Sequence, residues 1–77
     1  MEEDKYVVYG KANCPNCVKV VEVLNRFHKE YLYIDVEQDD EALKFIKSIG
    51  AKSVPQVFYE GFLVGGYDET VKHIFTK

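Results

Sequence analysis

The sequence predicts an α/β fold, βαβ-α-ββα, in which a four-stranded mixed sheet is flanked by helices. Three observations predict it. Short runs of β-forming residues alternate with longer amphipathic runs along most of the 77 residues, the pattern of strands joined by crossover helices. A Cys-x-x-Cys, Cys14-Pro15-Asn16-Cys17, stands where the first strand run gives way to the first helical run. Further on, Glu60-Gly61 separates two short apolar runs, which signals a tight hairpin.

Tyr6 to Tyr9 is apolar on both faces, as suits a central buried strand. Gly10 to Asn13 is the loop that delivers the cysteines. From Pro15 to about Lys29, Cys17, Val20, Val21, Leu24 and Phe27 fall on one helical face, and Val18 and Val23 widen it. Valine is a mediocre helix former, but strand alternation breaks at Val20-Val21 and the run is too long. Helix is therefore expected. His28 and Lys29 complement the dipole at its end, and His28 is read as a helix-end residue, not a catalytic base.

Tyr31 to Val36 reads as the second strand, and strand–helix–strand should cross over right-handed into a parallel pair. Asp39 is a good N-cap, with Asp40 and Glu41 in the first turn. Ala42, Leu43, Phe45, Ile46 and Ile49 make the apolar side of this helix, and Gly50 is the expected terminator. Acidic Glu37 to Glu41 is a solvated loop and helix start. Ser53-Val54-Pro55-Gln56 leads into a third strand, Val57-Phe58-Tyr59. Phe62-Leu63-Val64 forms the fourth, antiparallel to it. Gly65-Gly66 turns into a closing helix from Asp68, near its N-cap, to about Phe75, with Val71, Ile74 and Phe75 facing inward. Residues 1–77 read as one domain without repeats or linkers.

The apolar fraction, 47%, suits a small core rather than a disordered chain. Net charge is −3 without a basic run, which argues against a nucleic-acid surface. No apolar stretch reaches membrane-spanning length. The start, Met1-Glu2-Glu3-Asp4, lacks an apolar segment, so no secretory leader is expected. A cytoplasmic setting is expected, where the cysteine pair stays mostly reduced.

Cys14 and Cys17 are the only cysteines. Pro15 fits the first helical position, because its missing N–H costs nothing there. Cys14 then falls at the N-cap, its sulfur over the N–H groups of Asn16 and Cys17, which favours a thiolate. The dipole supplies up to about 1 kcal/mol, less than one pKa unit of roughly 1.4 kcal/mol. Hydrogen bonds and the Lys11 ammonium must supply any larger shift. Cys17 lies one turn on, toward the core, shielded and less ionised. One sulfur attacks and one resolves, as disulfide exchange requires. A closed metal site would need four ligands, and only His28 and His73 accompany the cysteines. No metal is expected. A purely structural disulfide would close too small a loop to constrain the unfolded chain.

Three separated motifs now give a resemblance that covers nearly the whole chain. Lys11-x-x-Cys14-Pro15-x-Cys17, Ser53-Val54-Pro55 and Gly65-Gly66-Tyr67-Asp68 resemble the active site, the T-V-P segment and the G-G-x-D loop of glutaredoxins, the glutathione-using branch of the thioredoxin-like fold. The resemblance implies a cis Pro55, with the Val54 backbone beside Cys14 ready to pair with an extended ligand. It implies that glutathione, as co-substrate, lies along Lys11, Pro15, Asn16, Val54, Pro55, Gly66, Tyr67 and Asp68. Lys11 would meet its glycine carboxylate, and Asp68 its γ-glutamyl ammonium.

Two departures stand out. Asn16 replaces the family's usual tyrosine. Ala42, thirteen residues before Pro55, replaces a basic or amide residue, so one carboxylate contact is missing unless Lys44 or Lys47 supplies it. The function implied is that of a monomeric dithiol glutaredoxin. Cys14 attacks a client disulfide, Cys17 resolves it and glutathione restores the dithiol, with ribonucleotide reductase among the clients implied. The alternatives are a small redoxin reduced by thioredoxin reductase and, disfavoured by Pro15, an iron–sulfur carrier.

Overall fold

The computed structural model describes residues 5–76. The acidic start, Met1 to Asp4, which bears on the expected lack of a leader, lies outside the described residues. The elements follow the expected order: β1 (Tyr6–Gly10), α1 (Pro15–Arg26), β2 (Tyr31–Asp35), α2 (Asp40–Ser48), β3 (Gln56–Tyr59), β4 (Phe62–Gly65) and α3 (Tyr67–Thr76). They build one mixed sheet in the order β2-β1-β3-β4. β1 runs parallel to β2, with Tyr6 opposite Tyr31 and Gly10 opposite Asp35. β3 is antiparallel to both β1 and β4.

β1 is central, as its two-sided apolar sequence requires. Tyr6 and Val8 point to one face and pack with Val20 and Leu24 of α1, Val57 and Tyr59 of β3, and Ile74 of α3. Tyr9 points to the other face, where Val36, Ala42 and Ile46 form a smaller core beneath α2. The sheet is thus sandwiched between α1 with α3 on one side and α2 on the other. The buried Tyr6 hydroxyl forms a 2.9 Å hydrogen bond with His73 Nδ1.

Helix ends follow local chemistry. Asp39 accepts from the Ala42 N–H at 3.1 Å as the α2 N-cap. Gly50, at φ +83°, ends that helix, while Gly50 and Ala51 N–H groups bond back to Lys47 and Ile46 carbonyls. α1 stops earlier than expected, at Arg26. His28 takes the left-handed conformation, φ +58°, and Lys29 N–H closes onto the Leu24 carbonyl at 2.8 Å. A histidine therefore fills the place usually held by glycine. β2 ends at Asp35, whose carboxylate accepts from the Glu37 N–H at 2.8 Å, and this local turn releases Val36 into the α2 layer. Glu60 and Gly61 both have positive φ, as the two-residue hairpin demands.

Three details differ from expectation. Val18 is 55% exposed and lies off the buried stripe of α1. Phe75 is 64% exposed and meets Phe27 edge-on at 5.1 Å near the surface. Thr70 takes the buried place in α3, with its hydroxyl donating to the Gly66 carbonyl at 2.8 Å. Asp68 lies in the first turn of α3, near the N-terminus as expected. The cap function falls to Glu69, whose carboxylate accepts from the Gly66 N–H at 3.0 Å.

Candidate active site

The β1–α1 junction places Cys14 at the N-cap of α1 in extended conformation, with Pro15 opening the helix. The Cys17 N–H donates to Cys14 Sγ at 3.2 Å. The two cysteines form a disulfide, with Cα atoms 5.2 Å apart. Cys14 is 7% exposed and Cys17 1%, so the outer and inner sulfurs are those expected. Pro15 and Asn16 are exposed beside them in the first turn.

The second motif arrives from β3. The Val54–Pro55 bond is cis, as the resemblance implied, and the Val54 carbonyl oxygen lies 3.8 Å from Cys14 Sγ. The third motif adjoins the second, for a Cβ built on Gly66 would sit 3.7 Å from the Pro55 carbonyl oxygen. Gly65, at φ +128°, could carry no side chain, since its Cβ would strike the Glu69 side chain at 2.8 Å. Tyr67 packs against the larger core, and Lys19 Nζ stands 5.8 Å from its ring centre. Asp68 is exposed. The fold therefore brings Lys11, Cys14, Val54, Pro55 and Gly66 to one end of the central strands.

Beside Lys11 and Val54 opens a cleft of about 560 Å³, lined also by Glu37, Asp40, Lys47, Lys52 and Ser53. Ala42 is no part of it, being packed with Val36 and Ile46 in the smaller core. Of the two lysines considered as its substitutes, Lys47 lines the cleft and Lys44 does not. Among the described residues no three His, Cys, Asp or Glu side chains gather as metal ligands.

Sequence reasoning missed Lys52, Glu69 and Tyr33. Tyr33 extends from β2 so that its hydroxyl donates to the Lys11 carbonyl at 3.1 Å, holding the loop before Cys14. Burial, and then the neighbouring Asp35 carboxylate, push its phenol above the ordinary value. Gly10 reads in the sequence as the start of a loop, whereas it ends β1, where a Cβ would strike the Tyr33 ring.

Residues 6–64 match the glutaredoxin family model. Glutaredoxin 1 of Rickettsia prowazekii (strain Madrid E) is 39% identical over 66 residues, 82% of this chain and 70% of that one. The chain spans about two thirds of the length of such curated relatives. The structure of a buckwheat glutaredoxin–glutathione complex is 27% identical with a TM-score of 0.78, over 94% of this chain and 70% of that one. The NrdH-redoxin of Escherichia coli has a TM-score of 0.81 over 91% of this chain and 92% of that one, and at 16% identity it shares the fold alone. The family implies thiol–disulfide oxidoreductase chemistry, which the Cys14–Cys17 pair is built to perform. With most of its length matching the family model and its sheet and cysteine pair arranged alike, the chain belongs to the glutaredoxin family.

Proposed function

We propose that this chain is a dithiol glutaredoxin that reduces protein disulfides and glutathione mixed disulfides with glutathione as electron donor. The observation that carries the reading is the placement of Cys14 Sγ, capped by the Cys17 N–H and beside the Val54 carbonyl. The Cys14 thiolate attacks the client disulfide, and the client's leaving sulfur takes up a proton. Cys17 then attacks Cys14 within the mixed disulfide and releases the second client sulfur. Two glutathione molecules return the pair to the dithiol and leave as glutathione disulfide. The buckwheat relative in complex with glutathione supports the choice of donor.

In this reading the ligand's cysteine pairs with the Val54 backbone, and its glycine carboxylate lies toward Lys11. Lys47 supplies the cationic partner that Ala42 lacks. Asp68 takes the γ-glutamyl ammonium beside Gly66 and Tyr67. Clients are cytoplasmic proteins with exposed disulfides, ribonucleotide reductase among them, and the chain acts as a monomer.

A second reading, a redoxin served by thioredoxin reductase, is favoured by Asn16 in place of an aromatic wall and by the Gly66 N–H already bonded to Glu69. Parallel assays decide between them, one with glutathione and glutathione reductase, the other with thioredoxin reductase. Turnover in the first supports the glutathione reading, and turnover only in the second replaces it.

A further inference from the structure

Cys17 opens onto a second cleft, which shares with the proposed glutathione groove only Lys11. It encloses about 310 Å³ and is lined by Lys11, Asn13, Cys17, Val18, Glu22 and Tyr33. Val18, which contributes nothing to the core, forms part of its wall. Tyr33 stands opposite Val8 in the sheet register, and its side chain reaches along β1 as far as Gly10. A Cβ on Gly10 would meet the Tyr33 Oη, the Tyr33 Cζ at 2.8 Å and Cys17 Sγ at 3.0 Å. Gly10 is thus a glycine for want of space. The phenol hydroxyl and the inner sulfur converge on the spot that a side chain there would fill.

That convergence matters for the second half of the exchange reaction. Cys17 is 1% exposed, so a proton leaving its thiol has little direct access to bulk solvent. Only the thiolate attacks, so the proton on Cys17 Sγ must leave before or as the sulfur reacts. The charged or titratable groups facing this side are Lys11 from the loop, Glu22 from α1 and Tyr33 from β2, with Asp35 further along β2 acting on Tyr33. The Tyr33 phenol stays protonated under burial and the Asp35 carboxylate. It serves as a hydrogen-bonding group rather than a base. Its proton goes to the Lys11 carbonyl, which leaves its oxygen lone pairs to accept from water. The wall of this cleft is mostly apolar, but the cleft opens to solvent, so water reaches the Tyr33 hydroxyl from outside.

We propose that this cleft is the proton exit of Cys17 and that Tyr33 is the positioning residue of the resolving step, its hydroxyl holding water against the buried thiol. The proposal rests on the exchange chemistry of the preceding reading. Cys17 Sγ gives its proton to water in the cleft and its electron pair to a new bond with Cys14 Sγ. The bond from Cys14 to the client sulfur breaks, and the client leaves as a thiolate. The cysteine pair is oxidised and the client reduced. The attacking step at Cys14 needs no water from this cleft, and Tyr33 bears on it only through the loop it holds at the Lys11 carbonyl.

The two steps separate in one trace when the reduced chain is mixed with one equivalent of dithiobis(nitrobenzoate). Attack by Cys14 releases one coloured thionitrobenzoate, and attack by Cys17 releases the second. Tyr33→Phe is expected to slow the second release roughly tenfold, the equivalent of one hydrogen bond, and to move its pH midpoint upward, with the first release affected far less. Val18→Phe, a surface change that fills the cleft, is expected to slow the same phase. Equal slowing of both phases by Tyr33→Phe would make Tyr33 a loop strap only and overturn the proposal. So would an unchanged second phase in both variants, or a second phase slowed by Glu22→Gln and not by Tyr33→Phe, which would make the carboxylate the base. The probe needs neither client nor glutathione. Normal phases without turnover in the coupled assays would count against the glutathione reading and leave this proposal standing.

Discussion

The backbone N–H of Cys17 donates to Cys14 Sγ across 3.2 Å, so the outer sulfur caps the helix that carries the inner one. Cys14→Ser is therefore expected to abolish all exchange. Cys17→Ser is expected to retain activity on glutathione mixed disulfides, which need one sulfur, and to lose it on protein disulfides. In the reduced protein, alkylation of Cys14 should remain fast well below the free-thiol pKa of about 8.5. An alkylation profile centred there would sink the helix-terminus argument, and a live Cys14→Ser with a dead Cys17→Ser would reverse the roles of the two sulfurs.

Lys47 lines the cleft beside Lys11, and Lys44 does not. Lys47→Ala should raise the apparent KM for glutathione about two- to fivefold, the range of a solvent-exposed ion pair, with kcat little changed. Lys44→Ala should leave both constants as they are. Steady-state kinetics at low salt check this, and equal effects of the two changes would remove Lys47 from the glutathione groove.

Asn16 is exposed in the first turn of α1, so Asn16→Tyr should fold normally and restore an aromatic wall worth about 0.5–1.5 kcal/mol of binding. A lower KM for glutathione is expected. Asp68→Ala should move it the other way, with both thiols intact. If neither substitution alters the glutathione assay while thioredoxin reductase supports fast turnover, the redoxin reading takes over.

Tyr33 titrates above its ordinary value of 10.0, chiefly through burial and then through Asp35. The folded state therefore holds the phenol proton more tightly than the unfolded state. This contribution to stability is present in full below the unfolded value and declines as pH rises through the folded one. Tyr33→Phe should flatten the alkaline fall in stability, and absorbance titration should show one phenol fewer in the late-titrating class. Loss of an early-titrating phenol instead would contradict the assignment.

Leu24 is wholly buried between α1 and the sheet. Leu24→Ala should cost about 2–5 kcal/mol, a large share of the stability of so small a domain. Thermal or denaturant unfolding would register it directly, and a loss below 1 kcal/mol would mean that the core closes over the gap.

Much of this architecture was legible because local chemistry and global packing agree. Tyr6 to Tyr9, apolar on both sides, occupies a central strand. Asp39, Gly50 and Glu60-Gly61 act as local chemistry alone predicts. What escaped reading depends on which neighbour a side chain finds. Val18 belongs to the apolar pattern of α1, yet its side of the helix overlooks a cleft, not the sheet. Thr70 looks polar, but its hydroxyl bonds within its own helix and lets the residue be buried. Phe75 looks like core, yet α3 turns it toward Phe27 at the surface. The motifs around Cys14, Pro55 and Gly66 were visible as separate segments. The phenol of Tyr33 over Gly10 was not, because it joins residues that meet only through the register of β1 and β2.

That the site is assembled from three distant segments has a consequence for the chain as it is made. The cysteines leave the ribosome early, but the strand that seats Val54 beside Cys14 follows some forty residues later. Until β3 pairs with β1, the Val54 backbone is not seated beside Cys14, and the cysteine pair lacks its ligand-pairing neighbour. A truncated chain ending before Pro55 should retain thiols that react with small reagents while lacking the groove that selects a partner. Selectivity, more than raw reactivity, is then the property by which a finished molecule differs from an unfinished one.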